Sequence, residues 1–412
     1  MDRTILHCDC NGFFASVECI DRPELKNVPM AVAGDPKNRT GIILAKNELA
    51  KAFGIKTAET VYAAKRKCPN LVLVPPRHRV YGEVSGRVNA LYQRYTDQVE
   101  PFGIDESWLD VTGSLSLLNT TGPLLADEIR ARVREEIGIT ISVGVSFCKI
   151  LAKMGSDLKK PDATTVLTYE NFRDRIWPLP AGDLLFAGRS TVALLEKHGI
   201  KTIGDIARAQ REDLGKLMGK GGELLWNYAN GIDDDPVRSV GHMEEVKSIG
   251  NGMTFPRDLV TMTEIKAGVS MLADEVSTRM RNHGVKCQTL AVHLKDPSMK
   301  TISRQMTLRH PTRLQAELIE QSMKLIQANW KAGAPVRALT ITASHLIPED
   351  QDASQLSLFE DDGTKKREKL EKLEDAVYKI RNRFGSDSIS MGAPDALIGR
   401  SRRRHHDDED EP

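Results

Sequence analysis

Apolar and polar positions along this chain change period several times, and the changes divide it. Thr4 to Cys10 reads as a strand rising from the first residues, Asn11-Gly12 breaks it, and Phe13 to Glu18 starts a helical pattern. Short apolar runs at 28–34 and 41–45 give way to a basic helical segment carrying Lys46, Lys51, Lys56, Lys65, Arg66 and Lys67. Between 80 and 97, Val84, Val88, Leu91, Tyr92 and Tyr95 recur at helical spacing, which predicts core packing. At 99–111 two apolar-rich runs flank Gly103 and the adjacent acids Asp105 and Glu106. Trp108, Leu109 and Val111 favour a strand, so the stretch predicts a β-hairpin with both acids at its tight end. An amphipathic helix over 124–137, a buried strand over 139–145 and a helix from Lys149 to Pro161 follow. Lys159 and Lys160 then fall at the C-terminal end of that helix, where cations are favoured in any case.

Residues 166–231 read as helical. The pattern around 194–206, a helix, a stop at Gly199 and a new helix, is that of a helix-hairpin-helix unit, which can present backbone amides to a phosphate but also serves as plain packing. Asp233-Asp234-Asp235-Pro236 marks a boundary, with a linker over 232–245. From 246 to 350 the pattern predicts helices at 262–283 and 312–331 and strands near 287–294, 300–307 and 336–346. Beyond it, Leu356, Leu358 and Phe359 stand in a polar stretch, as in a peptide that docks into a partner's pocket. Residues 364–384 predict a charged helix with Leu370, Leu373, Val377 and Ile380 on one face.

At 412 residues the chain holds more than one domain. The formal net charge of +1 gives no sign of a nucleic-acid partner, yet residues 246–350 carry fourteen Lys or Arg against nine Asp or Glu. A basic domain in a near-neutral chain suits contact with a phosphate backbone, although a solvated face has the same composition. Six scattered cysteines show no zinc or disulfide spacing, Cys8 and Cys10 being too close for a structural zinc pair. No charged-then-apolar leader opens the chain and no run of about 18 apolar residues occurs, so we expect a cytoplasmic protein without a membrane partner.

Consecutive acids on a strand point to opposite faces, but at a bend they can converge, and converging like charges need a cation. Magnesium suits such a site, since it takes oxygen ligands and keeps waters and substrate phosphates as its other partners. An acidic pair on a turn is more often merely solvated, so the reading needs a third carboxylate. Asp9 supplies it, at the end of a strand before Gly12 and a helix N-terminus whose Gly12, Phe13 and Phe14 amides face an anion. A plain helix-capping Asp is the competing reading for this residue.

Taken together these stretches resemble the Y-family DNA polymerases, the enzymes of translesion synthesis. The motifs are His7 to Glu18, Gly103 to Asp110, Val143-Gly144-Val145-Ser146 with Lys160-Pro161, and Ser248 to Phe255; the likeness runs from residue 1 to about 350. It implies a multidomain α/β and α+β right-hand polymerase. Its palm would be 1–19 and 76–165, small fingers 20–75, a helical thumb 166–231, and a little finger on DNA 246–350. It further implies template-directed, low-fidelity synthesis without proofreading from primer-template DNA and deoxynucleoside triphosphates, by a monomer. Asp9, Asp105, Glu106 and the Cys10 carbonyl would hold two Mg2+ ions, and Phe14 would be a steric gate against a ribose 2′-hydroxyl. Gly12, Phe13, Phe14, Lys51 and Lys160 would meet the nucleotide, and Gln355, Leu356, Leu358 and Phe359 would bind the bacterial sliding clamp. The chain departs from the pattern at Glu48, where Tyr is expected, at Lys51 in place of Arg, and at Phe186-Ala187-Gly188, where a Gly-x-Gly is usual. A non-catalytic accessory that tethers DNA to the clamp is the alternative. A two-metal nuclease or nucleotidyl cyclase fits less well, because neither needs the basic C-terminal domain or the clamp peptide.

Overall fold

Strand β1 (Ile5–Cys10) is buried along its whole length and sits at the middle of a five-stranded sheet. The computed structural model describes residues 3–35, 41–242, 245–349, 362–385 and 388–389. These residues fall into two compact units, one reaching to about 243 and the other following it.

In the first unit, β1 turns through Gly12 into α1 (Phe13–Asp21). An inserted layer follows: β2 (Met30–Ala33), β3 (Ile43–Lys46), α2 (Glu48–Ala52), α3 (Val61–Lys67) and β4 (Val72–Val74). Its three strands form their own sheet, in the order β3-β2-β4, over a small core that includes Ile43, Ile55 and Leu71. The expected single basic helix is therefore two short ones. Gly54 and Ala58, both at positive φ, break the run between them. The chain returns through α4 (His78–Tyr92) to the predicted hairpin, β5 (Val99–Pro101) and β6 (Glu106–Asp110), then α5 (Gly122–Ile137), β7 (Ile141–Ser146), α6 (Lys149–Leu158) and β8 (Thr164–Val166). The large sheet runs β5-β6-β1-β7-β8, antiparallel except for the β7–β8 pair. Tyr81, Leu91, Leu125 and Ile129 from α4 and α5 cover it with a fully buried apolar layer. Helices α7 (Phe172–Ile176), α8 (Arg189–Lys197), α9 (Ile203–Arg208), α10 (Arg211–Met218) and α11 (Lys220–Ala229) close a separate helical core around Phe172, Leu195 and Ile206.

The second unit holds β9 (Ser248–Leu259), α12 (Met262–Asn282), β10 (Val285–Lys295), β11 (Thr301–Thr312), α13 (Gln315–Asn329), β12 (Val336–Pro348) and α14 (Asp362–Phe384). Its sheet runs β11-β10-β12-β9, with α12 and α13 burying one face. Strand β9 does not follow from the hydrophobic pattern, because Gly250 and Gly252 interrupt it. Those glycines oppose Thr342 and Thr340 on β12, and a Cβ on Gly252 would lie 2.3 Å from the Thr340 hydroxyl oxygen. Cross-strand fit selects residues there that propensity disfavours. Helix α14 forms as expected, but its buried face differs: Val377 is buried while Leu373 is half exposed, and Glu374 and Arg381 face the fold. No described helix is long and apolar enough to cross a membrane.

Candidate active site

Asp9 and Glu106 stand directly opposite each other on the antiparallel strands β1 and β6. Opposed residues share one face of a sheet with Cβ atoms about 5 Å apart, so two acids that no single strand could bring together converge across the pair. Asp105 sits in the hairpin loop just before Glu106. Its carbonyl accepts the Cys10 N–H at 2.9 Å, which ties the loop to the end of β1. The next residue, Asn11, is buried and holds the turn: its amide N–H donates to Ser142 Oγ at 2.9 Å and its Oδ1 accepts the Asp162 N–H at 2.8 Å. Gly12 then takes φ +53, and a Cβ there would meet the Lys46 carbonyl at 3.0 Å, so both strain and space demand glycine. No side chain caps α1 at Gly12.

Electrostatics at this point are those of crowded carboxylates. Burial pushes Asp9 up to about 6, against the pull of Lys160. Burial, and then the neighbouring Glu106 charge, raise Asp105. Glu106 is also raised by burial, but His7 and Lys153 outweigh it and hold its carboxyl at about 2. One acid stays firmly ionised while its neighbours are driven toward neutrality, as like charges sharing a site are.

The compensating cations are Lys153 on α6, which lies close to the sheet, and Lys160 just past the end of that helix, which stops at Leu158. A Cβ on Gly144 of β7 would sit 1.9 Å from the Ala152 carbonyl of α6. At that distance Lys153 reaches the strand ends: its Nζ lies 2.8 Å from Glu106 Oε2, 3.5 Å from Asp9 Oδ2 and 3.4 Å from Asp157 Oδ2. Lys160 Nζ lies 2.8 Å from both Asp9 Oδ2 and Asp157 Oδ1. His7, fully buried, bonds Ser156 Oγ through Nδ1 at 2.8 Å and sets Nε2 3.2 Å from Glu106 Oε2, outside hydrogen-bond geometry. Burial lowers the His7 pKa.

This donor set suits a hard cation. Its side-chain donors are carboxylate oxygens, and ammonium groups already stand where positive charge is needed, Lys153 on Glu106 Oε2 and Lys160 on Asp9 Oδ2. Among the described residues no three His, Cys, Asp or Glu side chains are drawn to the spacing of a closed metal site.

Beside the acids, Phe14 is half buried and stacks on Tyr81 with ring centroids 4.2 Å apart and planes at 14°. His78 meets both rings edge-on. The Tyr81 hydroxyl donates to Glu18 Oε1 at 2.6 Å, and fully buried Glu18 also accepts from Arg77 and Arg22. Phe13 is buried behind them. Lys51 lies on the exposed side of α2 and pairs with Glu48 at 3.4 Å, one turn away. Phe186 takes the left-handed φ of +69 and is 60 % exposed, a backbone state that glycine adopts without cost. Gln355, Leu356, Leu358 and Phe359 lie outside the described residues.

Sequence reasoning missed His7, Tyr81, Glu18 and Lys153. Lys153 had a signal, since Lys149, Lys153, Asp157 and Lys160 recur every three or four residues and so share a helical face. The others lie in runs whose apolar neighbours mask them.

Residues 8–157 match the model of the impB/mucB/samB family, and 246–358 that of its C-terminal domain. A DNA polymerase IV of Acetivibrio thermocellus is 44% identical over 392 residues, covering 95% of this chain and 97% of that protein. The chain belongs to the DNA polymerase IV branch of the Y family. Within that branch, DNA polymerase IV 2 of Bacillus subtilis is 37% identical over 411 residues, 98% of this chain and 97% of its own. A solved Y-family DNA polymerase chimera, 24% identical, superposes with a TM-score of 0.73 over 84% of this chain and 99% of the other. The polymerase fold, mixed α/β with a separate C-terminal domain, is shared with it.

Proposed function

We propose that this DNA polymerase extends a primer 3′ end along a template by two-metal-ion chemistry, at low fidelity and without proofreading, in translesion synthesis. The observation that carries the reading is the convergence of Asp9 and Glu106 from paired strands beside the Asp105 loop, compensated by Lys153 and Lys160 with His7 beside Glu106. Asp9, Asp105, Glu106 and the Cys10 carbonyl would hold two Mg2+ ions. Bound there, the metal supplies Lewis-acid activation of the primer hydroxyl and stabilises charge on the departing pyrophosphate.

The chain's own residues do the rest. Gly12, Phe13 and Phe14 present the start of α1 to the triphosphate, whose negative charge suits a helix N-terminus. Lys160 exchanges Asp9 for a phosphate oxygen, as a flexible point charge can. Phe14, braced by Tyr81, fills the space that a ribose 2′-hydroxyl requires. Lys51, paired with Glu48, keeps a single-point contact at most. We assign palm, fingers, thumb, linker and little finger the boundaries expected above, the little finger lying along the duplex. The peptide Gln355 to Phe359 docks on the sliding clamp, and the enzyme works as a cytoplasmic monomer.

The test is primer extension with Mg2+ and the four deoxynucleotides, comparing wild type with Asp105→Ala. We expect a loss on the order of a thousand-fold, because several kcal/mol of charge stabilisation disappear. A wild type that binds DNA and clamp yet extends nothing would return the chain to the tethering role.

A further inference from the structure

We infer that Lys153 is a built-in counter-ion that holds Asp9 and Glu106 converged before a divalent ion arrives, and that its retreat to Asp157 sets the affinity for that ion. The inference deepens the two-metal reading and rests on it.

Asp9 and Glu106 are opposed on adjacent strands, an arrangement that repels when both are charged. Lys153 answers this from α6, with 12% of its side chain exposed and Nζ touching Glu106 and approaching Asp9. Its ammonium thus stands in the space a shared cation would take. It also has somewhere to go: Asp157 Oδ2, one helical turn along, lies 3.4 Å away and is half exposed. A small rotation of the end of the side chain would transfer the ammonium from the strand acids to Asp157 without placing it in an apolar environment. Lys160 differs, since it already bridges Asp9 and Asp157 and is more exposed. The close seat of α6 on Gly144 fixes the base of the Lys153 stem, so only its tip moves.

Two substitutions push the affinity in opposite directions. In Lys153→Met the competing charge is gone, and Mn2+ should bind the full chain, without DNA, roughly ten-fold more tightly, given the strength of a charge contact at this depth. In Asp157→Ala the retreat is removed, and Mn2+ should bind several-fold more weakly. Lys153→Arg should stay near wild type. The readout is Mn2+ titration followed by electron paramagnetic resonance, with circular dichroism to confirm folding. Mn2+ affinity unchanged or weakened in Lys153→Met, or unchanged in folded Asp157→Ala, overturns the inference. Because Asp157 is half exposed, that second variant remains informative if Lys153→Met fails to fold. Should neither wild type nor any variant bind Mn2+, the metal reading itself fails, a result distinct from either of the others.

Discussion

Two buried ionic networks in this polymerase have the same ingredients and opposite finish. In the second unit Glu374 of α14 is 4% exposed and fully satisfied: its carboxylate pairs with Arg281 at 2.8 Å and accepts the Gln315 and Ala316 N–H groups at the start of α13. Arg281 is equally engaged, reaching Asp375 as well, and Arg381 grips Asp274 through both carboxylate oxygens. In the first unit Glu106 Oε2 is met, among the described residues, only by the flexible ammonium of Lys153 at 2.8 Å and by His7 Nε2 at 3.2 Å, and burial raises Asp9. Planar arginine groups that, with backbone N–H groups, engage both oxygens of Glu374 make a lock. Acids held by lysine ammonium groups make a site that can exchange one cation for another. A network closed on itself serves stability, and one left open serves a ligand.

This contrast predicts that chemistry should move without stability in the first unit, and stability without chemistry in the second. The largest effect on specificity is on sugar selection. Phe14→Val should lower discrimination against ribonucleotides roughly hundred-fold in the ratio of kcat/KM values, a difference of pocket shape, while costing only about 1 kcal/mol of stability for the lost ring contact. An unchanged ratio would remove the gate from Phe14. Next, Glu374→Ala strands the Arg281 charge, and thermal unfolding of the second unit should show a loss of about 3 kcal/mol, limited because α14 can lift away. Primer extension at temperatures below that transition should be unaltered, and faster proteolysis within α14 would locate the change. A variant as stable as wild type would mean that the network is no lock.

The smallest effect concerns the start of α12. The Thr261 and Val260 N–H groups and Arg257 hold the Glu264 carboxyl down at about 2. A depressed carboxyl adds stability that is complete above its unfolded value near 4.5 and is lost as pH falls toward 2. Glu264→Ala should therefore cost about 1 kcal/mol at pH 7, and the difference from wild type should shrink across that acid window. A pH-independent difference would assign the effect to helix propensity instead of the cap.

How much of this was legible in advance differs by element. The hairpin with Asp105 and Glu106 was, because Pro101, Gly103 and a β-favouring run mark it locally. The place of Asp9 at the end of β1 before the Asn11-Gly12 turn was legible too, although helix capping competed as its reading and only the strand register set it opposite Glu106. Strand β9 was not, since its two glycines answer to threonines ninety residues away on β12. The face of α14 was misjudged for a related reason. Leu370, Leu373, Val377 and Ile380 suggest an apolar seam, but α12 offers it charged partners and the start of α13 offers backbone N–H groups, so Glu374 and Arg381 turn inward. The Lys153 contact was within reach of helical periodicity yet needed the height of α6 above the sheet to acquire meaning.

By itself, then, the sequence determined most of the elements, a boundary within the 232–245 stretch, and which acids a bend or a strand end makes available. Those are consequences of period, turn chemistry and charge, all read within a few residues. Tertiary structure decided which charges meet. Register brought Asp9 opposite Glu106, glycine at 144 lowered α6 until Lys153 could touch both, and Tyr81 came under Phe14 from a helix more than sixty residues along. Ion-pair and stacking contacts act at a few ångströms and screened charges within about ten, so they follow from spatial neighbours that chain order does not specify.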